Sequence, residues 1–547
     1  MSSMLPAATA CAAGLYLLFK FFGNYVKRSS LDILPGPPPD SWLTGNVTFS
    51  LFNKRGLESW TQYAETYGRA IVFRFILGQR VLAVHDAKAL QTMMIKDTHI
   101  WQKSDTPTTL FDVFLGPGVL SIDNGERHRR QKKLLNPVFS AAHVRDMTGI
   151  FYGVSHKLRD AIKSRLPSTG ATREFDINDW MGRTTLEMLG QAGLGYSFDD
   201  FTDNSMDAFA DAVKSFFPSL AAVPGGGFPF NFLTDYFSVP NVRRVFRLFP
   251  LGSVREIQRI SDFMAARSTD IIREKRVALE KGDVEMKHRI GEGKDLMSIC
   301  LKANMTAAEN ERLTDEELIA QVSTFILAGM DTTSNALSRT LHLLATHPDA
   351  QDRLRAEIVE AQGGDGSDIT YDDLLKLPFL DAVCRETLRL YAPVPFLNRF
   401  ALEDTILPLS KPVRTRDGKE ISELAISKGT FAFVNFQACN VDSDLWGPDA
   451  REWKPERWLA PLPTALEEAR IPGVYAHLMT FSGGSRSCIG FKFSQVEMKI
   501  VLGVLLSSFA FELTGESVSW LNSVVVHPAM GDSLKPELRL KVKLVGA

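Results

Sequence analysis

The chain has 547 residues, 45% of them apolar, and a formal net charge of -2. That is ample apolar material for a large core, and so even a charge balance gives no long-range field for nucleic acid. The five cysteines, Cys11, Cys300, Cys384, Cys439 and Cys488, are too few, too scattered and odd in number for a disulfide framework, which points to a reducing compartment.

Residues 5–22 are almost wholly apolar, broken only by Lys20. About eighteen helical residues at ~1.5 Å each approach the ~30 Å of a hydrocarbon core. Lys20 lies near the end and can snorkel, and Lys27 and Arg28 follow, so the positive-inside rule puts the downstream chain in the cytosol. A cleaved signal peptide wants a basic start and small residues after the apolar run. Here Ala7-Ala8-Thr9-Ala10 comes before Leu15-Tyr16-Leu17-Leu18-Phe19, so residues 1–28 read as an uncleaved transmembrane anchor. Residues 29–44 carry Leu34-Pro35-Gly36-Pro37-Pro38-Pro39, which reads as a stiff, extended hinge. Residues 45–547 contain no linker or repeat and read as one domain.

Within that domain, residues 70–75 and 80–84 are apolar and β-branched around Gly78, the pattern of a hairpin. Gly125-Glu126-Arg127-His128-Arg129-Arg130-Gln131-Lys132-Lys133 is strongly basic: a solvated helix face, or a face for an acidic partner. Two helical stretches lie between residues 203 and 282, the second over 254–281. Between them Gly225-Gly226-Gly227-Phe228-Pro229-Phe230 lacks the Lys-Ser/Thr of a phosphate loop, and reads equally as a greasy lid or a plain connection.

Thr314-Asp315-Glu316-Glu317 is a capping box opening a long helix, with Ile319, Val322, Ile326, Gly329 and Thr333 along one face. In mid-helix stands Ala328-Gly329-Met330-Asp331-Thr332-Thr333. A glycine costs a helix interior about 1 kcal/mol against alanine, so this local conflict asks for a functional reason. Gly329 lets a ligand approach the backbone, Thr332 can bond a carbonyl one turn back, and Asp331 supplies protons. The duller alternative is a helix contact built from small residues. Glu386 and Arg389 share a helix face further on, ahead of Ala392-Pro393-Val394-Pro395 and Pro455-Glu456-Arg457-Trp458.

Phe481-Ser482-Gly483-Gly484-Ser485-Arg486-Ser487-Cys488-Ile489-Gly490 places one cysteine in a glycine-rich loop. Phe493, Val496, Ile500 and Val504 then recur at helical spacing, so Cys488 should stand just before a helix N-terminus, where a thiolate is favoured. The glycines let backbone approach a flat partner, and Arg486 can bind a carboxylate. A zinc site would need paired ligands such as Cys-x-x-Cys, which are missing, and an inert core cysteine would not need these neighbours. Thiolate ligation of haem fits better. Residues 538–544 alternate, with Leu538, Leu540, Val542 and Leu544 apolar, so the chain ends on a strand.

Phe481, Gly484, Arg486, Cys488 and Gly490 match, position by position, the haem-binding signature of the cytochromes P-450. The chain thus resembles the haem-thiolate monooxygenases, in particular microsomal members, and over residues 125–140 those of filamentous fungi. The resemblance implies a mainly α fold with small β-sheets behind the N-terminal transmembrane helix, and haem b with its iron on Cys488. It implies Asp331 and Thr332 as the oxygen-activation pair, and a pocket drawing on Phe325, Ala328, Gly329, Thr333, Phe396, Leu397 and Asn398. Arg399 and Arg486 match propionate ligands. At His128 and Lys132 the family usually carries Trp and Arg; His and Lys can still donate to a propionate, which would raise the His128 pKa. Glu386, Arg389 and Arg457 match a buried structural network. No flavin or nicotinamide motif is present, so electrons are expected from an NADPH-dependent flavoprotein reductase, with cytochrome b5 as a second donor. The location implied is the endoplasmic reticulum membrane, with the catalytic domain cytosolic. The expected reaction is O2-dependent hydroxylation of a lipophilic molecule, terpenoid or sterol-like, in secondary metabolism. Fatty-acid or xenobiotic hydroxylation is the alternative. An O2-independent isomerase or dehydratase, and a non-catalytic haem binder, are the remoter ones.

Overall fold

The computed structural model describes residues 23, 28–46, 56–103, 109–167, 170–202, 208–223, 231–249, 251–281, 294–364 and 366–545. The expected anchor therefore lies, except for Gly23 and Arg28, outside the described residues, as does the Gly225–Phe230 loop. Among the described residues no helix is long and apolar enough to cross a membrane.

The proline-rich stretch is not a free spacer. Ser29 and Asp32 form a reciprocal cap, Leu31 and Leu34 are buried, and the Val72 N–H donates to the Pro35 carbonyl at 2.9 Å. Gly36 is forced by contact, since a Cβ there would sit 2.0 Å from the Val72 oxygen. The expected hinge is thus laid along a sheet edge as part of the body.

That edge belongs to a hairpin. Helix α1 (Leu57–Tyr67) precedes β1 (Ala70–Arg74), which pairs antiparallel with β2 (Arg80–Val84), Ala70 opposite Val84. Strand β3 (Trp101–Gln102) follows, then α2 (Glu126–Leu135), α3 (Ile177–Met188), α4 (Ala208–Lys214) and α5 (Gly252–Glu280). Helix α6 (Asp315–Thr346) crosses the molecule; at ~1.5 Å per residue its 32 residues span about 48 Å. Its capping box is present: Thr314 Oγ1 accepts from the Glu317 N–H at 3.2 Å, and the Thr314 N–H donates to Glu317 at 2.9 Å. After α7 (Pro378–Leu390) come β4 (Phe396–Ala401) and β5 (Phe431–Asn435), completing a sheet of order β1-β2-β5-β4-β3. Strand β6 (Leu478–Gly483) leads into the cysteine loop and α8 (Phe491–Ser508), and the hairpin β7 (Val518–Ser523)–β8 (Val525–Met530) and β9 (Arg539–Leu544) follow.

The sequence dictates this layering. The apolar residues of α3, α6, α7 and α8 merge into one helical core, while alternate residues of β1, β2 and β5 feed two smaller cores on opposite faces of the sheet. The cysteine loop runs from β6 into α8, and its Gly484 lies against the backbone of Met94.

Candidate active site

Two close backbone approaches shape the loop. Gly484 has φ +65°, and a Cβ on it would lie 1.9 Å from the Met94 carbonyl oxygen; one on Gly483 would lie 2.2 Å from that of Pro472. Phe481 packs edge-on to Tyr475 and tilted to Phe491, and its carbonyl accepts from the Cys488 N–H at 2.9 Å. Gly490 is the residue before α8, so the cysteine does precede a helix start.

Cys488 is open to solvent yet crowded by surrounding protein. That crowding pushes its thiol pKa up, against the opposing pull of the Gly490 N–H and the Lys132 ammonium. The expected lowering by the helix start is outweighed by desolvation. A coordinating metal deprotonates such a thiol outright.

Cations converge beside the loop. Arg486 donates to Asn124 Oδ1 at 2.6 Å, and to the carbonyls of Val119, at 3.2 Å, and Ile122. Lys132 donates to the Ser485 carbonyl at 2.7 Å, and so is folded over the loop itself. His128 is buried, and Arg399 donates to the Asn398 carbonyl at 2.8 Å. Lys103, which sequence reasoning missed, donates to the carbonyls of Leu120 and Ser121 and stands over the Phe111 ring. Burial pushes Arg486 down to about 10. Burial, then Arg486, pushes Arg399 to about 10 and Lys103 to about 7. Burial, then Arg486, Lys132 and Lys103, pushes His128 to about 3, opposite to the rise a propionate partner would cause. Asp112 and Asp123 oppose this accumulation only in part. A pocket whose cations depress one another fits a ligand with two carboxylates, so these residues fit haem.

The second part of the site is on α6. From Ala320 to Ser338 every side chain is buried except Ala328, Gly329 and Thr332, which form one facet at i, i+1 and i+4. Thr332 Oγ1 donates to the Ala328 carbonyl at 2.7 Å. Asp331 is buried behind this facet, and Asn335 Nδ2 donates to its carbonyl at 2.7 Å and its Oδ1 at 3.2 Å. Burial raises its carboxyl to about 7, against the opposing pull of Lys214 and Asn335. Lys214 donates to the Asn178 carbonyl at 2.6 Å, and Asn178 to Asn335 Oδ1 at 2.9 Å, so α3 and α4 are tied to the acid.

The other pocket candidates all have protein partners. Thr333 is buried and its hydroxyl pairs with Glu497 of α8, so it faces away from the open facet. Phe396 stacks on Trp60, with centroids 4.6 Å apart, inside the sheet's aromatic cluster. Leu397 packs on the other sheet core, and the Asn398 amide donates to the Lys103 carbonyl at 2.7 Å. These three brace the sheet; Val394, just before β4, packs on the helical core instead. Phe325 is buried edge-on to Phe139, beside the loop, rather than open to the facet.

Beneath the loop, Glu386 and Arg389 are fully buried and doubly paired at 2.8 Å. Arg457 donates to Glu386 at 3.3 Å and Trp458 Nε1 at 2.9 Å. Arg389 also donates to the carbonyls of Asn440 and Ala450, and Asn440 in turn bonds Met479 and Thr480 of β6, binding the network to the strand that carries the loop. In the basic stretch, Arg127 and Arg130 donate to buried Glu317 at 2.6 and 3.0 Å, clamping α2 to the start of α6. Arg129 and Lys133 remain largely exposed.

A family model described as Cytochrome P450 matches residues 35–532. A ganoderic acid synthetase of Ganoderma lucidum is 51% identical over 547 residues, 99% of each chain. Two Postia placenta proteins are also similar. Cytochrome P450 monooxygenase 91 is 48% identical over 97% of each chain, and cytochrome P450 monooxygenase 81 is 44% identical over 99% of this chain and 98% of its own.

Proposed function

Because this chain belongs to the cytochrome P450 family of haem-thiolate monooxygenases, we propose that it hydroxylates a lipophilic secondary metabolite of terpenoid or sterol-like type. The observation that carries the reading is the glycine-shaped Cys488 loop with cations converging beside it, joined to a half-buried facet of small residues on α6 with a near-neutral carboxyl behind it. The family uses O2, an electron-donating partner and a haem held by cysteine. Bound here, the haem supplies oxygen activation and C–H hydroxylation, with thiolate ligation favouring O–O cleavage.

The chain's own residues do the rest. Arg486, Arg399, His128 and Lys132, with Lys103, hold the two carboxylates by charge-assisted hydrogen bonds. Ala328 leaves room for substrate, while Gly329 lets the buried Leu189 side chain pack close, since a Cβ there would lie 3.0 Å from it. Asp331 holds a proton at its carboxyl near neutral pH, and the Thr332 hydroxyl is placed to orient a water on the same turn. Glu386, Arg389 and Arg457 fix the frame under the loop. Substrate type is supported by the relative named for ganoderic acid synthesis.

Residues 1–28 anchor the protein in the endoplasmic reticulum membrane with its body in the cytosol, where an NADPH-dependent flavoprotein reductase delivers electrons and cytochrome b5 is a second donor. Supporting this are exposed Ile33, Trp42 and Leu43 soon after the anchor. The test is NADPH- and reductase-dependent O2 consumption on adding triterpenoids or sterols, with product oxygen traced to O2. Turnover without O2 would leave an isomerase or dehydratase; a response to fatty acids alone would move the substrate class.

A further inference from the structure

We infer that Arg339 is the centre of an oxyanion site, separate from the Cys488 chamber, that takes a carboxylate or phosphate group at the edge of its guanidinium. Arg339 lies seven residues beyond Thr332 on α6, almost the same face and about 10 Å further along the axis. Between them Asn335 and Ala336 are buried, so the helix face closes and then reopens at Arg339. The guanidinium carbon stands 3.7 Å from the ring centre of Trp520 on β7 and 3.9 Å from that of Tyr391, the residue capping α7.

Two rings therefore stand within 4 Å of the centre of the cation and offer it no carboxylate. Among the described residues no Asp or Glu pairs with it, and its Nε is buried without a hydrogen-bond partner. The neighbouring His342 does not supply the missing acceptor. Its Nδ1 already accepts from Trp520 Nε1 at 3.3 Å, and burial, then Arg339, pushes its pKa down to about 4. Burial likewise pushes Arg339 down to about 9, the behaviour of a cation lacking its counter-charge. A half-buried guanidinium of this kind is completed by an anion from outside, and a planar edge of paired donors selects oxyanions over halide.

The experiment titrates the full-length, haem-loaded protein with inorganic phosphate and, separately, acetate, against chloride at equal ionic strength, reading the unfolding midpoint and tryptophan emission. A saturable rise in midpoint beyond that in chloride is expected in wild type and absent from Arg339→Met, a swap that keeps much of the bulk between the rings. Response to phosphate alone identifies a phosphate ligand, and response to both a general carboxylate or phosphate site. Arg339→Lys, which keeps the charge but loses the forked edge, serves if the Met variant does not fold; its response should weaken. No response in wild type beyond chloride, or an undiminished one in either variant, overturns the site and leaves Arg339 as an aromatic clamp. Neither readout depends on monooxygenase turnover, so failure here is distinguishable from failure of the proposed function.

Discussion

Replacing Asp331 with Asn removes a titrating carboxyl from behind the open facet of α6 while keeping its shape. The folded carboxyl stands at about 7 against 3.8 in its ordinary state, because burial disfavours the charge more than Lys214 and Asn335 favour it. At about 1.4 kcal/mol per pH unit, the folded chain then holds this proton more tightly by about 4 kcal/mol. The sign follows from linkage: this stability is fully present below 3.8 and is lost as pH rises through about 7. The wild-type minus Asp331→Asn difference in unfolding free energy should therefore fall between roughly pH 4 and 7 by up to about 4 kcal/mol. Urea unfolding of the two haem-loaded proteins at stepped pH measures it, because titrations common to both cancel. Turnover of the variant should also drop by about 10²-fold, the usual weight of one proton-transfer group. A difference flat across that range would mean that Asp331 is ionised throughout, paired with Lys214, and that the stored-proton argument fails.

Thr332→Ala should leave NADPH and O2 consumption in place while peroxide replaces product; unchanged product per NADPH would refute its role. Arg389→Ala strands Glu386, fully buried, without its double partner, at a cost of about 3–5 kcal/mol; a wild-type unfolding midpoint and haem content would show that the network does not hold the loop. Deleting residues 1–28 should release the protein from membranes with its haem spectrum intact, and flotation of the truncated form at full strength would end the single-anchor reading.

What was legible in the sequence was local. Phe481 to Gly490 carries its glycines, arginine and cysteine within ten residues, and the capping box at Thr314 starts α6 where the structure does. What was hidden depended on strand parity, on a single helix step or on pairing at long range. Thr332 and Thr333 differ by about 100° of rotation, which turns one to the facet and the other to Glu497. Phe396 and Arg399 lie on opposite faces of β4 by the alternation of a strand. Lys103 reaches the cationic cluster only because Gln102 pairs with Phe400, a contact no local pattern announces. Charge balance was equally non-local: desolvation outweighs the helix start at Cys488, and burial, with three cations behind it, drives His128 down.

The proposed site depends first on Cys488 as the thiolate ligand. The most direct measurement is the absorption spectrum of the reduced, carbon-monoxide-bound protein, wild type beside Cys488→Ser. Wild type should show the long-wavelength Soret band of a haem-thiolate, and the variant should lose it even where haem is retained. Survival of that band in Cys488→Ser would contradict the assignment of the ligand, and with it the site built around the loop.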